Sequence, residues 1–269
     1  MNTADVDVDA HAPGEIARLA ERVGIAKAAT NTVTMLVLAL LAGAFISLGA
    51  MFYLVVTTNT GLGFGVTRLL GGLSFCLGLI LVIVAGAELF TGNNLVAIAW
   101  ASRRISTAAL LRNWALSYIG NIVGCLGTVM LARSANIAAL NEGAVGATAL
   151  RLASAKVALP LGEAFARGVL CNVLVCLAVW LAMGARSVTD KILAVIFPVT
   201  AFVALGFEHS IANWFFLPYA MVLDQQGAVP LDAAALNLLV VTGGNIVGGT
   251  LLVAGVYWLA YLRGGQNGK

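Results

Sequence analysis

One histidine lies deep inside an apolar stretch of this sequence, in Gly206-Phe207-Glu208-His209-Ser210-Ile211-Ala212-Asn213. The other, His11, sits in a polar N-terminal segment. Imidazole titrates near neutrality, so a histidine among apolar side chains can lend or take a proton where water is scarce. A related motif stands 120 positions earlier, in Glu88-Leu89-Phe90-Thr91-Gly92-Asn93. Both read Glu-x4-Asn. Each carboxylate could cap backbone N–H groups freed at a helix break, or it could relay protons. Thr91 and His209 stand two places apart along the matched motifs, so a symmetric arrangement allows a hydrogen bond between them.

A second repeat accompanies the first. Gly-Asn-Ile-Val-Gly occurs at 120–124 and again at 244–248. Its glycines suit close helix packing. Asn121 and Asn245 are different, because an amide buried in hydrocarbon needs partners. Freed backbone at a break would supply them, as structural glue; direct contact with a substrate is the alternative. Phe75, Leu79, Leu89, Phe90 and Phe202 read as packing from their spacing alone. Lys156 reads as a solvated lysine in a long connection.

Enzyme chemistry finds little support. The sequence has no GxxxxGK[ST] or GxGxxG loop, no HExxH, and no catalytic partner beside His209. Cys76, Cys125, Cys171 and Cys176 all fall in apolar segments without metal-ligand spacing, so neither disulfides nor a metal or other cofactor is expected. A net charge of +3 with no basic aromatic patch argues against nucleic acid.

The elements that position these motifs follow from composition. Of the 269 residues, 61% are hydrophobic and 10% charged, too few polar groups to cover a water-facing surface. Mean hydropathy is +0.97. The chain reads as an all-α protein of the lipid bilayer, with apolar runs at 33–58, 69–99, 113–132, 161–183, 192–221 and 235–262. The second and fifth runs would reach roughly 45 Å as straight helices, and each contains one Glu-x4-Asn motif. Broken helices account for both the length and the polar insertions. Three spans per half, with matched motifs, imply two inverted repeats. Ten of the fifteen Lys and Arg fall on the side holding both termini, which places those termini in the cytoplasm. The expected divisions are an N-terminal segment 1–32, a six-helix domain 33–262 and a tail 263–269. The N-terminal segment lacks a signal-peptide pattern. Its residues 14–29 suit an amphipathic helix lying along the membrane surface.

Four stretches resemble the formate/nitrite transporter family: Ala87 to Asn93, Asn113-Trp114 with Tyr118 to Asn121, Leu170 to Trp180, and Gly206 to Asn213. The similarity runs from about Val23 to Arg263. It implies an aquaporin-like fold and a homopentamer with one pore per protomer, in the inner (cytoplasmic) membrane. By the resemblance, Phe75, Leu79, Leu89, Phe90, Val175 and Phe202 line constrictions, and the loop after Glu88 can move. The same resemblance links Lys156, Asn172, Thr91, His209 and Asn213 to anion attraction and a central site. Glu88, Glu208, Asn93, Asn121 and Asn245 form the polar structure at the breaks. Gly92-Asn93-Asn94 is also similar to nitrite and hydrosulfide relatives, so these substrates stand beside formate.

The expectation is therefore pH-sensitive passage of a small monovalent anion, formate first. Lys156 would concentrate the anion, and His209 would offer a proton so that a neutral acid crosses the waist. A neutral-solute channel of aquaporin type is the distant alternative. Asn-Pro-Ala is absent at both breaks, which argues against it.

Overall fold

A computed structural model of the protein describes residues 10–266. Residues 1–9 and 267–269, including Lys269 of the expected tail, lie outside the described residues. The described chain is helical and contains no strand. Five of its helices are long and apolar enough to cross a membrane: Thr32–Thr57, Phe64–Gly86, Thr107–Ser134, Leu161–Gly184 and Leu231–Tyr261. Their outward faces are apolar; Val33, Leu131 and Leu239 are each more than 70% exposed. That skin suits lipid or another apolar surface, not water.

Helix α1 (Pro13–Ala29) precedes α2 (Thr32–Thr57), whose first turn is capped by Asn31 through Thr34 N. Helix α3 (Phe64–Ile80) loosens into a π turn at Leu81–Gly86 and then stops. The chain resumes in α4 (Phe90–Asn93), a 3-10 turn at Asn94–Val96 and α5 (Ala97–Ala101). Next come α6 (Thr107–Ser134), α7 (Ala144–Val157), α8 (Leu161–Gly184) and α9 (Val188–Ala204). A second stop precedes α10 (Ser210–Leu223). Helix α11 (Leu231–Val247) passes through a π segment at Gly248–Gly255 into α12 (Val256–Tyr261).

Both overlong runs are interrupted where the Glu-x4-Asn motifs predict. Gly86 and Gly206, each two residues before a motif glutamate, adopt φ of +85° and +73°. A side chain is strained in that conformation, so glycine is the residue that ends each helix cleanly. The two resumptions differ. Helix α10 is continuous, whereas the stretch after Leu89 is cut into three pieces. Asn94 explains the cut, because its amide reaches back to Phe90 O at 3.4 Å and accepts from Asn172 at 2.7 Å instead of pointing outward.

The glycines of the repeated pentapeptide bring helices into backbone contact. A Cβ on Gly124 would collide with the Leu40 carbonyl of α2, and one on Gly248 with the Val169 carbonyl of α8. Two expectations need correction. Lys156 is not in a solvated loop: it sits near the end of α7, inside the long connection. Nor does the apolar face of α1 lie bare along a membrane surface. Ile16, Ala17 and Ala20 are buried in one cluster with Leu95, Ile98, Trp180 and Val253, because the pieces after the first break leave an apolar surface that α1 covers.

Candidate functional site

Each break is held by the same hydrogen-bond set. At the first, Asn121 Nδ2 donates to Glu88 O at 2.9 Å and Ala39 O at 2.7 Å, while its Oδ1 accepts from Phe90 N at 2.8 Å. At the second, Asn245 Nδ2 donates to Glu208 O at 3.0 Å and Gly168 O at 2.7 Å, and its Oδ1 accepts from Ser210 N at 2.9 Å. One amide thus satisfies two backbone groups that the broken helix strands in an apolar interior and ties them to a carbonyl of the neighbouring α2 or α8.

The carboxylates do something else. Cap bonds to freed N–H groups were one expectation for Glu88 and Glu208, but the asparagines take that role and both carboxylates turn to side chains. Glu208 Oε1 accepts from Lys156 Nζ at 2.8 Å and Oε2 from Asn213 Nδ2 at 2.7 Å. Asn213 also donates to Asn237 Oδ1 at 2.9 Å, and Asn237 Nδ2 donates to Lys156 O at 3.0 Å. Around Glu88 the ring repeats. Lys27 Nζ donates at 2.7 Å, Asn93 Nδ2 at 2.8 Å to Glu88 and 3.1 Å to Asn113, and Asn113 Nδ2 at 3.1 Å to Lys27 O. Helix α1 therefore stands to the first break as α7 stands to the second.

The Lys156–Glu208 pair is nearly enclosed, its side chains 11% and 4% exposed. Removing one partner strands a charge, which costs about 3–5 kcal/mol in a buried pair. Lys156→Gln alone should lower the thermal midpoint of the detergent-solubilised protein strongly. Adding Glu208→Gln should restore most of the loss. Additive losses in that double-mutant cycle would show the two groups to be independent.

Thr91 and His209 meet at the centre, Thr91 Oγ1 to His209 Nε2 being 3.0 Å, with Thr91 fully buried and His209 3% exposed. His209 also caps α10: its Nδ1 accepts from Ala212 N at 3.0 Å. A nitrogen that accepts carries no proton, so the neutral ring holds its proton on Nε2 and offers it to Thr91. Phe202 stacks 5.9 Å from the imidazole at 19°, and Phe75 meets Phe202 edge-on at 5.7 Å.

Two cavities approach this centre. One, of 540 Å³, is bounded by α1 and reaches Leu79, Glu88, Leu89 and Asn93. The other, of 220 Å³, is bounded by α7 and reaches Phe75, Lys156, Phe202, Glu208, His209 and Asn213. On α3, Phe75 faces one and Leu79 the other; four residues of helix are about 6 Å. The barrier between the cavities is therefore a few side chains thick. Phe90 and Val175, expected with the constriction residues, line neither cavity. Val175 is 1% exposed, and Phe90 packs on Tyr118 with ring centres 4.8 Å apart. Asn172 Nδ2 donates to Asn94 Oδ1 and Asn245 O, both at 2.7 Å, tying the piece after the first break to α11.

Sequence reasoning overlooked Lys27, Asn113, Asn237 and Asn94. The asparagines had a signal, since Asn113 and Asn237 share the 124-residue offset of the pentapeptides. Lys27 had none: it looks like one more basic residue of a polar segment.

The family model described as formate/nitrite transporter matches residues 14–259. The chain is 41% identical to formate channel FocA of Escherichia coli strain K12, over 97% of this chain and 98% of that protein. It is 39% identical to a probable formate transporter of Methanothermobacter thermautotrophicus, over 94% and 96%. A solved pentameric formate channel with formate bound superposes with TM-score 0.81 at 40% identity, covering 86% of this chain and 98% of the other. An FNT family ion channel superposes at 0.83 with 30% identity, covering 91% and 98%. These relatives are channels and transporters, not enzymes, and their match spans both breaks and both cavities. The chain belongs to the formate/nitrite transporter family.

Proposed function

We propose that this protein is a pH-dependent channel for small monovalent anions, formate first, which cross its narrow centre as the neutral acid. The observation that carries this reading is the pair of cavities stopped a few side chains apart at Thr91 and His209. A bare anion at that apolar waist would cost several kcal/mol. A protonated acid avoids the cost, and each unit fall in outside pH raises its fraction about tenfold. The Nε2–H of His209 points into this waist. To give that proton up, the ring must take another on Nδ1, which opens the Ala212 cap; proton delivery and loosening of α10 are then one event. Phe75, Phe202, Leu79 and Leu89 act as the constrictions, and the segmented piece after Glu88 as the movable gate.

The doubled hydrogen-bond rings support two inverted repeats arranged as in aquaporins, with six spans and broken second and fifth helices. The resemblance to a pentameric formate channel supports a homopentamer with formate as substrate. The basic bias of residues 1–32, the connections after α5 and α8, and the tail 263–269 supports both termini in the cytoplasm of an inner-membrane protein. The 540 Å³ cavity then faces the cytoplasm.

Uptake of labelled formate, nitrite and hydrosulfide by liposomes, at acid and neutral outside pH, tests the reading. Formate uptake should rise with acidity. Strong nitrite or hydrosulfide flux with little formate would move the substrate within the family, and water flux alone would end the anion reading.

A further inference from the structure

The 220 Å³ cavity carries more positive charge than Lys156 accounts for. Arg68 and Arg167 line it as well. Lys156 is already balanced by Glu208 at 2.8 Å, and the field of such a pair falls off faster than that of a free charge. Arg68 is in the opposite situation. Among the described residues no carboxylate pairs with it, and its one hydrogen bond is Nε to Ala204 O at 2.8 Å, at the end of α9. Both terminal nitrogens are left over, a planar fork of donors matched to a carboxylate or nitrite. Arg68 also lies over the Phe64 ring at 5.7 Å, which holds the stem without using those donors. Arg167 flanks the same turn, with Nη1 3.5 Å from Gly206 O and Nη2 3.2 Å from Glu163, an exposed partner of little screening weight.

We propose that Arg68, supported by Arg167, forms an anion-capture site in this cavity that takes a monovalent oxyanion before it reaches Lys156 and the Phe75–Phe202 pair. The site rests on the anion-channel reading above. In this division of labour, Arg68 sets how often an anion enters, and the Lys156–Glu208 pair shapes the loop that carries His209.

Full-length protein in liposomes is treated with phenylglyoxal, which modifies arginine, with and without formate, nitrite or inorganic sulfate. Modification of each arginine is then read by mass spectrometry. Formate should slow modification of Arg68 and Arg167 about fivefold while leaving Arg133 and Arg151 unprotected. In uptake assays, Arg68→Gln should raise KM about five- to tenfold, much more than it lowers kcat, and flatten the salt dependence of KM. Arg68→Lys, which keeps the charge, should keep that salt dependence. The double variant Lys156→Gln/Glu208→Gln, in which a neutral pair becomes a neutral pair, should keep it too. Equal modification with and without anions overturns the proposal, as does a double variant that abolishes the salt dependence. A lower kcat at unchanged KM in Arg68→Gln would reduce Arg68 to a cap of α9, and the proposal fails. The protection assay uses the unaltered protein, so a variant that does not fold leaves it decisive. Protection by nitrite without formate transport keeps the site and rejects the formate reading. Protection by the dianion sulfate alone overturns a monovalent-anion site, and normal formate transport without protection rejects the site and keeps the formate reading.

Discussion

His209→Asn should fold normally yet lose acid-stimulated formate uptake by about 10²-fold, the usual weight of a positioned proton donor. Asparagine keeps the cap of the neutral ring, accepting from Ala212 N with an oxygen placed like Nδ1, while its shorter amide stops one bond short of the Nε2 position that faces Thr91 Oγ1. What it cannot do is take a proton on one atom while giving one from another. The variant therefore separates support of the break from proton exchange. Unchanged thermal unfolding with lost acid stimulation is the expected pair of results, from scans in detergent and labelled uptake at two outside pH values. Uptake that still rises fully with acidity would take His209 out of the proton path and leave it as a hydrogen-bonding spacer.

The largest structural effect should come from Asn245→Leu, and Asn121→Leu should match it. Leucine has the branched shape of asparagine, but its methyl groups bond neither Glu208 O nor Ser210 N, which are then stranded at the break, and one of them crowds Gly168 O, now 2.7 Å from Asn245 Nδ2. An unsatisfied buried polar group costs about 1–3 kcal/mol, so the two at the break cost on the order of 2–6 kcal/mol before any relaxation. Domains are commonly stable by only about 5–15 kcal/mol, and the variant should be recovered poorly or melt far below the parent. A midpoint within about 2 °C of the parent would mean that water or a rearranged loop replaces the amide. Asn172→Leu, which loses one side-chain and one carbonyl partner, should melt between Asn245→Leu and the parent.

Position along the chain carried some of this protein and not the rest. Long apolar runs, two Glu-x4-Asn motifs and two Gly-Asn-Ile-Val-Gly pentapeptides were enough to expect a helical membrane protein interrupted near Glu88 and Glu208. Hydropathy is summed residue by residue, and a helix break reveals itself locally when a run is too long and holds polar groups. Repeat offsets likewise put Thr91 within reach of His209, because equal spacing implies equal placement in each half. The segmentation after the first break had no such signature, since it depends on Asn94 meeting Asn172, 78 residues away.

Charge partners were decided only by tertiary packing. Lys27 and Lys156 look like ordinary basic residues of terminal and connecting segments, yet they reach Glu88 and Glu208 across 61 and 52 residues. Which carboxylate a lysine finds depends on where α1 and α7 dock, and docking follows from whole apolar faces, not from the lysine itself. The same holds for the division of roles at the breaks. Asparagine and glutamate can each bond a stranded backbone group, and sequence cannot rank them. Helix packing sets Asn121 and Asn245 beside the stranded groups and leaves the carboxylates facing lysines. Arg68 and Arg167, 99 positions apart, share a cavity for the same reason: α3 and α8 bring their second turns to one end of the molecule, a relation that exists only once the helices are assembled.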